Sequence, residues 1–364
     1  MGKEASSSDG NLATPAAERV YIVILNWNGW RDTIECLESV FRLDYPCYKV
    51  LVCDNASSDD SMVQIRRWAQ GKIIVNAKNP ALASLTSPPI AKPIPFLEVQ
   101  STEPRLEPWD ASTRLLLMQT KANLGFAGGN NAALRYALKS GDCDFAWLLN
   151  NDTVVCSDAL RRLMQRMKER PDAGICGSTL LYYDDPSKVQ AFGGSVYNQW
   201  VARVGPIGKL ASAAELPQAE EIERKMAYII GASMLVRRSF LEQIGLMDEE
   251  YFLYFEELDW ATLAKGRFQL GYCPHSVVYH KEGRTIGSNR VTYRQSALAE
   301  FYMIRNRIVF TRKHHPLALG SVLCAILLSG LHRLFNRRWS NFTALTRGAF
   351  EGLTVRLRRR KQEL

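Results

Sequence analysis

VYIVILNWNGWRDTIECLESVFRLDYPCYKVLVCD, residues Val20 to Asp54, decides the fold class. Its first six residues are continuously apolar and largely β-branched, the pattern of a strand covered on both faces. Asn26-Trp27-Asn28-Gly29 interrupts that run. Asp32 then opens a D-x-x-E capping pattern with Glu35, and Ile34, Leu37, Val40 and Phe41 follow at helical spacing. Pro46 ends the unit, and Val50 to Cys53 forms a second buried strand closed by Asp54-Asn55. Ser57 or Ser58 is placed to cap a further helix over Asp60 to Ala69. Strand and helix alternating at this density predict an α/β fold, a mostly parallel sheet with helices on both faces.

Outward from there, Lys72 to Val75 reads as a third strand. Residues 76–112 are proline-rich and aperiodic, too long for an ordinary loop, and read as a partly disordered insertion. Leu115 to Met118 resumes the strand pattern. A Gly/Asn-rich turn, Asn123 to Asn131, precedes a helix through Leu134 and Leu138. Phe145 to Leu149 (FAWLL) is another buried strand and ends in Asn150-Asn151-Asp152, before a helix near Asp158 to Glu169. Beyond Gly174 short apolar pieces (Ile229 to Val236, Gln269 to Cys273, Val277 to Tyr279) mix with helices near Arg238 to Ile244 and Glu257 to Lys265. The organisation expected is a polar leader at 1–18, an α/β half passing into a mixed half over 19–313, and a helical appendage at 314–364.

Composition narrows the classes. The eight cysteines form no CxxC or CxxxC pair, and several lie inside apolar runs, which argues for a reducing compartment and against a disulfide framework or a zinc site. Met1 to Glu18 has no apolar core of the kind a signal peptide carries. The net charge of +9 is concentrated: from Arg333 onward nine arginines and lysines face only Glu351 and Glu363, a local +7. Leu317 to Leu331 (LALGSVLCAILLSGL), just before it, is apolar but shorter than the roughly 20 residues a spanning helix needs. That pairing suits an interfacial helix on an anionic membrane surface better than a nucleic-acid contact; a core helix with a solvated basic end is the alternative.

In open α/β sheets ligands sit beyond the carboxyl ends of the strands. Asn26, Asp54 and Asn150-Asn151-Asp152 all occupy such ends. Asn and Asp favour any turn, so each alone says little, but three on one edge are harder to dismiss as turn residues. Neither G-x-G-x-x-G nor G-x-x-x-x-G-K-[ST] follows the first strand, which removes the usual basis for a dinucleotide oxidoreductase or a P-loop NTPase. A second constellation is Tyr254-Phe255-Glu256-Glu257-Leu258-Asp259-Trp260. Its carboxylates would favour a helix N-terminus in any case, whereas its aromatics suit a pocket that raises a carboxyl pKa for base catalysis. His280 follows Val277-Val278-Tyr279 at a strand end, where a plain hydrogen-bonding role is more usual than a metal-ligand role.

The ordered set VYIVILNWNGW, VLVCDNASSD, ANLGFAGGNNAAL, FAWLLNNDTVV, YIIGASMLVRRSFLEQIGLMDEEYFLYFEELDW and CPHSVVYHKEG resembles the bacterial family 2 glycosyltransferases, nearest the rhamnosyltransferase-like branch of O-antigen and cell-surface polysaccharide synthesis. The resemblance spans Val20 to Lys313 apart from 76–112. It implies a GT-A fold with a nucleotide-binding α/β half and an acceptor-binding mixed half. It implies donor contacts from Asn26, Asn28, Asp54, Asn55, Asn123, Gly125, Gly129, Asn130 and Asn151. Asn150-Asn151-Asp152 takes the D-x-D-like position, so Asp152, Asn150 and His280 are the implied metal residues for Mg2+ or Mn2+. Glu257 takes the general base's position, with Glu256, Asp259 and Trp260 on the acceptor side.

The function so implied is inverting transfer of one sugar, with rhamnose from dTDP-rhamnose the best guess, to the hydroxyl of a saccharide, polyprenyl-linked, at the cytosolic face of the inner membrane. Two departures from the family pattern stand out: Glu256-Glu257 replaces the usual Glu-Asp, and Asn-Asn-Asp supplies a single carboxylate. Phe335 stands where processive synthases carry the Gln of Q-x-x-R-W, which favours transfer of single sugars. The alternatives are a catalytically degenerate member acting as a scaffold in a polysaccharide assembly complex, and a sugar-nucleotide-forming enzyme on a similar sheet.

Overall fold

A computed structural model describes residues 17–100, 113–281 and 296–357. The first layers are β1 (Val20–Asn26), α1 (Trp30–Val40), β2 (Tyr48–Asp54), α2 (Ser61–Ala69), β3 (Phe96–Gln100), β4 (Leu115–Gln119), α3 (Gly125–Lys139), β5 (Phe145–Asn150), β6 (Thr153–Val155) and α4 (Ala159–Glu169). The mixed half continues with β7 (Ala173–Tyr182), β8 (Val189–Phe192), β9 (Gly194–Asn198), β10 (Arg203–Pro206), α5 (Ala219–Lys225), β11 (Tyr228–Ile229), β12 (Ser233–Arg237), α6 (Arg238–Ile244), α7 (Glu256–Ala264) and β13 (Gln269–His280). Three helices close the chain: α8 (Ala297–His314), α9 (Leu319–Phe335) and α10 (Trp339–Thr354).

The main sheet runs β3-β4-β2-β1-β5-β12-β7-β13-β6, with β8 beside β7. From β3 to β5 every neighbour is parallel; β12 then enters antiparallel between β5 and β7. Alternate residues of the central strands feed two cores. Val20, Ile22, Ile24, Val50, Val52 and Trp147 pack against α1, α2 and α4. Tyr21, Val23, Leu51, Ala146 and Leu148 pack against α3, α6 and α7. Double coverage is why these strands read as unbroken apolar runs.

Several local expectations are corrected. Lys72 to Val75 is not a strand; the segment 76–112, expected to be aperiodic, supplies the sheet's edge strand β3, paired in parallel with β4. Lys78, Asn79, Ile90 and Lys92 pin its described part to α1 and Tyr183. Asn123 to Asn131 is not a turn throughout, because α3 already begins at Gly125. Helix α1 begins at Trp30 with no side-chain cap, so Asp32 and Glu35 are no capping box; helix α2 is preceded by Asp60, and neither Ser57 nor Ser58 caps it. All eight cysteines are free thiols. The leader up to residue 16, the stretch 101–112, and Arg358, Arg359, Arg360 and Lys361 of the basic tail lie outside the described residues.

Candidate active site

Parallel pairing sets the ends of β1, β2 and β5 side by side, with Asn26 opposite Asp54 and Leu25 opposite Asn150. Asn26 Nδ2 donates to Asp54 Oδ1 at 2.7 Å, and the Thr33 hydroxyl donates to Asn26 Oδ1 at 2.7 Å. Ser57 donates its hydroxyl and its backbone N–H to the two Asp54 oxygens. Asn28, at positive φ and exposed, accepts from the N–H of Ser58. Asn151 Nδ2 joins this network through the Thr33 hydroxyl at 3.0 Å. Asn26 and Asp54 are fully buried, so they hold these loops from within and do not project from them.

A second knot lies beside the first. Asn55 Nδ2 donates to Asn123 Oδ1 (2.9 Å) and to the Gly125 carbonyl (3.0 Å), while its Oδ1 accepts from the Leu124 N–H. Gly125 has φ +71°, and a Cβ there would lie 2.2 Å from the Phe252 carbonyl, so this position requires glycine on two counts. Gly129 packs its bare Cα on Leu25, where a Cβ would fall 2.4 Å from Leu25 Cδ1. Asn130 turns its amide back to the Phe126 carbonyl. These residues fix the start of α3 against the sheet, which explains a glycine-rich sequence in helical conformation.

Asp152 and His280 come together across the β6–β13 pair: Oδ1 and Nε2 stand 3.2 Å apart. Nδ1 of His280 lies 2.9 Å from Gln190 Oε1, a contact that fixes the ring with Nε2 facing Asp152. Two ligands of an octahedral Mg2+-sized ion are about 3 Å apart, which this oxygen–nitrogen pair matches. Among the described residues no group of three or more His, Cys, Asp or Glu gathers as a cage. The donor set thus fits an ion that takes its remaining ligands from a diphosphate and water. Burial works to raise the Asp152 pKa, but the neighbouring His280 outweighs it and holds the carboxyl below its ordinary value.

Lys281 was missed at the level of sequence. It is buried, its N–H donates to the Asp152 carbonyl at 3.0 Å, and its ammonium bonds Asp32 at 2.7 Å and Glu35 at 2.6 Å. The i, i+3 acidic pair on α1 is therefore an ion trap that ties the strand end bearing His280 to that helix. Only the position of Lys281 directly after His280 hinted at this.

Glu257 belongs to the first turn of α7 and is half-buried. Its Oε1 lies so close to Gly231 that a Cβ there would meet it at 2.5 Å and the Phe126 ring at 2.9 Å. The next residue, Ala232, accepts from the Asn150 N–H at 3.1 Å. Glu257, Gly231-Ala232 and Asn150 thus form one continuous contact path to the Asp152 end of β5. Burial pushes the Glu257 carboxyl up to about 7. Burial, together with the Glu257 charge, pushes Glu256 well above the carboxylate range, and its Oε2 is enclosed with no hydrogen-bond partner. A neutral Glu256 beside a Glu257 that ionises near neutral pH is the arrangement two adjacent buried carboxyls favour.

The structure takes Asp259 and Trp260 away from the acceptor side. Trp260 is a core residue, edge-on to Phe240, with Nε1 donating to the Gly245 carbonyl at 2.8 Å. Asp259 is fully buried and anchors α8 through His314 (2.6 Å) and Lys313 (2.9 Å). One turn of helix points Glu257 and Asp259 in different directions, and adjacency in sequence concealed it.

Residues 110–297, half of the chain, match the family described as glycosyltransferase like family 2. The chain is 22% identical to the low-salt glycan biosynthesis hexosyltransferase Agl10 of Haloferax volcanii over 70% of its own length and 81% of that protein. It is 26% identical to the N-acetylglucosaminyl-diphospho-decaprenol L-rhamnosyltransferase of Mycobacterium tuberculosis over 49% of its own length, spanning 62% of that relative. Among solved structures it resembles GalNAc-T7 with UDP, GalNAc and Mn2+, with a TM-score of 0.52 and 12% identity, over 82% of this chain and 48% of that one. The chain belongs to the glycosyltransferase-like family 2: it is an enzyme with a GT-A fold that transfers a sugar from a nucleotide-sugar donor.

Proposed function

We propose that this enzyme is a metal-dependent, inverting transferase that moves a single sugar, best matched by rhamnose from dTDP-rhamnose, onto a hydroxyl of a lipid-linked saccharide. One observation carries the reading: the Asp152–His280 pair and the Glu257 carboxylate border the same end of β5, joined through Asn150, Ala232 and Gly231. Asp152 and His280 would hold Mg2+ or Mn2+, and a bound divalent ion offsets charge developing on a departing diphosphate. Mn2+ with UDP in the GalNAc-T7 structure supports metal use, and the mycobacterial relative's name supports rhamnose and a polyprenyl-diphosphate acceptor.

In this reading Glu257 takes the proton of the acceptor hydroxyl as that oxygen attacks the anomeric carbon and the bond from that carbon to the diphosphate oxygen breaks. A carboxyl poised near pH 7 suits the task, because it is ionised at working pH yet basic enough to accept the proton. Glu256, kept neutral, leaves the negative charge on Glu257. The nucleoside lies against the loops shaped by Asp54, Asn55 and Asn123. A thermal-shift panel with UDP, GDP and dTDP, each with Mn2+ or with EDTA, tests the donor. A nucleotide at 100 times its dissociation constant stabilises by about 2.7 kcal/mol. We expect a Mn2+-dependent shift with dTDP, whereas silence with all three nucleotides would favour the scaffold alternative.

The C-terminal helices fit peripheral association with the cytosolic face of the inner membrane. Helix α9 packs Val322, Ile326 and Gly330 inward against α8 and α10. Its other side leaves Leu327, Leu328 and Leu331 exposed, with Phe335 86% exposed at its end. Of the apolar window in Pro316–Phe335 only 22% is buried. A helix docked on its own protein along one side presents the other to a surface, and exposed Arg337, Arg338 and Arg347 supply the charge for anionic lipid. Replacing Leu327, Leu328 and Phe335 together with Ser is expected to abolish co-flotation with anionic vesicles and to spare nucleotide binding. Undiminished flotation would refute the surface.

A further inference from the structure

Between Tyr251 and Glu257 the backbone departs from ordinary conformations. Phe252, Tyr254 and Phe255 have φ of 59°, 70° and 74°, in the left-handed region that side-chain-bearing residues avoid. Phe255 is the residue on which α7 starts, so its conformation sets the direction of the first helical turn, where Glu257 stands. Such a loop persists only where its surroundings over-determine it. The restraint comes from one turn of α8, whose first residue is the last one matched by the family.

Asn306 is fully buried, and its Nδ2 donates to three carbonyls of the loop: Tyr251 (2.6 Å), Leu253 (2.8 Å) and Tyr254 (3.1 Å). Arg305 orients that amide, because its Nη1 donates to Asn306 Oδ1 at 2.7 Å, which turns the NH2 group toward the loop. The same Nη1 donates to the Glu250 carbonyl, and Nε is held by Glu351 of α10. Tyr302, one turn earlier, stacks on Phe252 with ring centroids 4.8 Å apart and planes 20° apart. Phe252 in turn accepts the Phe126 N–H at 2.7 Å, beside the Gly125 packing contact, and the Phe126 ring lies at Gly231 next to Glu257.

We propose that Tyr302, Arg305 and Asn306 form a clamp that positions Glu257 by holding the 251–255 loop in its left-handed conformation. This rests on Glu257 being the base. None of the three touches the nucleoside loops at Asp54 and Asn55, which are held by contacts of their own. The clamp therefore acts chiefly on turnover, and it reaches the nucleoside loops only at second hand, through the packing of Phe252 on Gly125. Without it the loop relaxes toward ordinary φ values and the carboxylate leaves the line of attack.

The test uses the full-length protein with Asn306→Ala and, separately, Tyr302→Leu at a half-buried site that does not threaten the fold. Three quantities are read: release of nucleotide diphosphate from the sugar donor, affinity for that diphosphate with Mn2+, and amide hydrogen exchange over 250–258. For Asn306→Ala, exchange should accelerate in that segment and kcat should fall about 100-fold, the scale of a reacting group displaced by an ångström, with a much smaller change in nucleotide affinity. Tyr302→Leu should show the same pattern with a smaller fall, and it decides the matter if Asn306→Ala does not fold. Unchanged exchange in 250–258 overturns the clamp. Faster exchange with full turnover, in an enzyme that Glu257→Gln inactivates, overturns its positioning role. Full turnover in Glu257→Gln itself would instead remove the base assignment and leave the exchange result to judge the clamp.

Discussion

Glu257→Gln is expected to lower kcat by about 10²–10⁴-fold, the usual contribution of a positioned general base, while nucleotide affinity stays at the wild-type level. The substitution keeps the shape of the side chain against Gly231 and Phe126 and removes only its basicity. In the wild type, turnover should decline as pH falls through about 7, because burial raises the Glu257 carboxyl to that value and only its ionised form accepts a proton. The variant should lose this acid limb together with its activity. Steady-state release of nucleotide diphosphate between pH 5 and 9 measures both. A variant that retains full turnover, or a wild type with an unchanged rate at pH 5, would show that the proton goes elsewhere.

Asp152→Ala should have the second-largest effect, and of a different kind. It removes one of the two protein groups proposed to hold the metal and leaves His280 fixed by Gln190. Losing the ion's charge stabilisation costs about 3 kcal/mol, or some 10²-fold in rate. Unlike Glu257→Gln, it should also weaken the nucleotide diphosphate itself and make that binding indifferent to Mn2+ or EDTA. Calorimetric titration of the nucleotide with and without Mn2+ separates the two variants. Metal-dependent binding that survives in Asp152→Ala would move the ion off this site.

Much of the fold was legible because the central strands are covered on both faces. VYIVIL, VLVC, LLLM and FAWLL carry no polar alternation, and each became a parallel strand. β3 was not legible, since FLEVQ alternates as an edge strand does and is embedded among prolines. β7, AGICGSTLLY, is buried throughout, yet glycine, serine and threonine dilute its apolar pattern. Gly177 in it is there for clearance, because a Cβ would lie 2.8 Å from the Gly193 carbonyl. The glycines of α3 misled in the same way: small residues that allow close packing look like turn residues when no partner is visible.

The site was legible in its strand ends and not in its long-range partners. Asn26, Asp54 and Asn150-Asn151-Asp152 stand out because they break apolar runs. Asp32 and Glu35 look identical whether they cap a helix or trap an ion, and the lysine that settles the matter follows 246 positions after Glu35. Likewise, Glu257 and Asp259 are indistinguishable in sequence, but α8 claims the second with His314 and Lys313. Asn306 carried no signal, since a lone asparagine in a helix becomes informative only when the carbonyls it faces are known.

The stereochemistry of transfer tests the central claim most directly. A single displacement, with Glu257 activating the acceptor oxygen and no covalent sugar–enzyme intermediate, must invert the anomeric centre. The anomeric proton of the product, followed by NMR from the first turnovers, should report the configuration opposite to that of the sugar in the nucleotide donor. Retention of the donor's configuration would contradict the account, because it would require a second displacement, through a sugar bound covalently to an enzyme nucleophile.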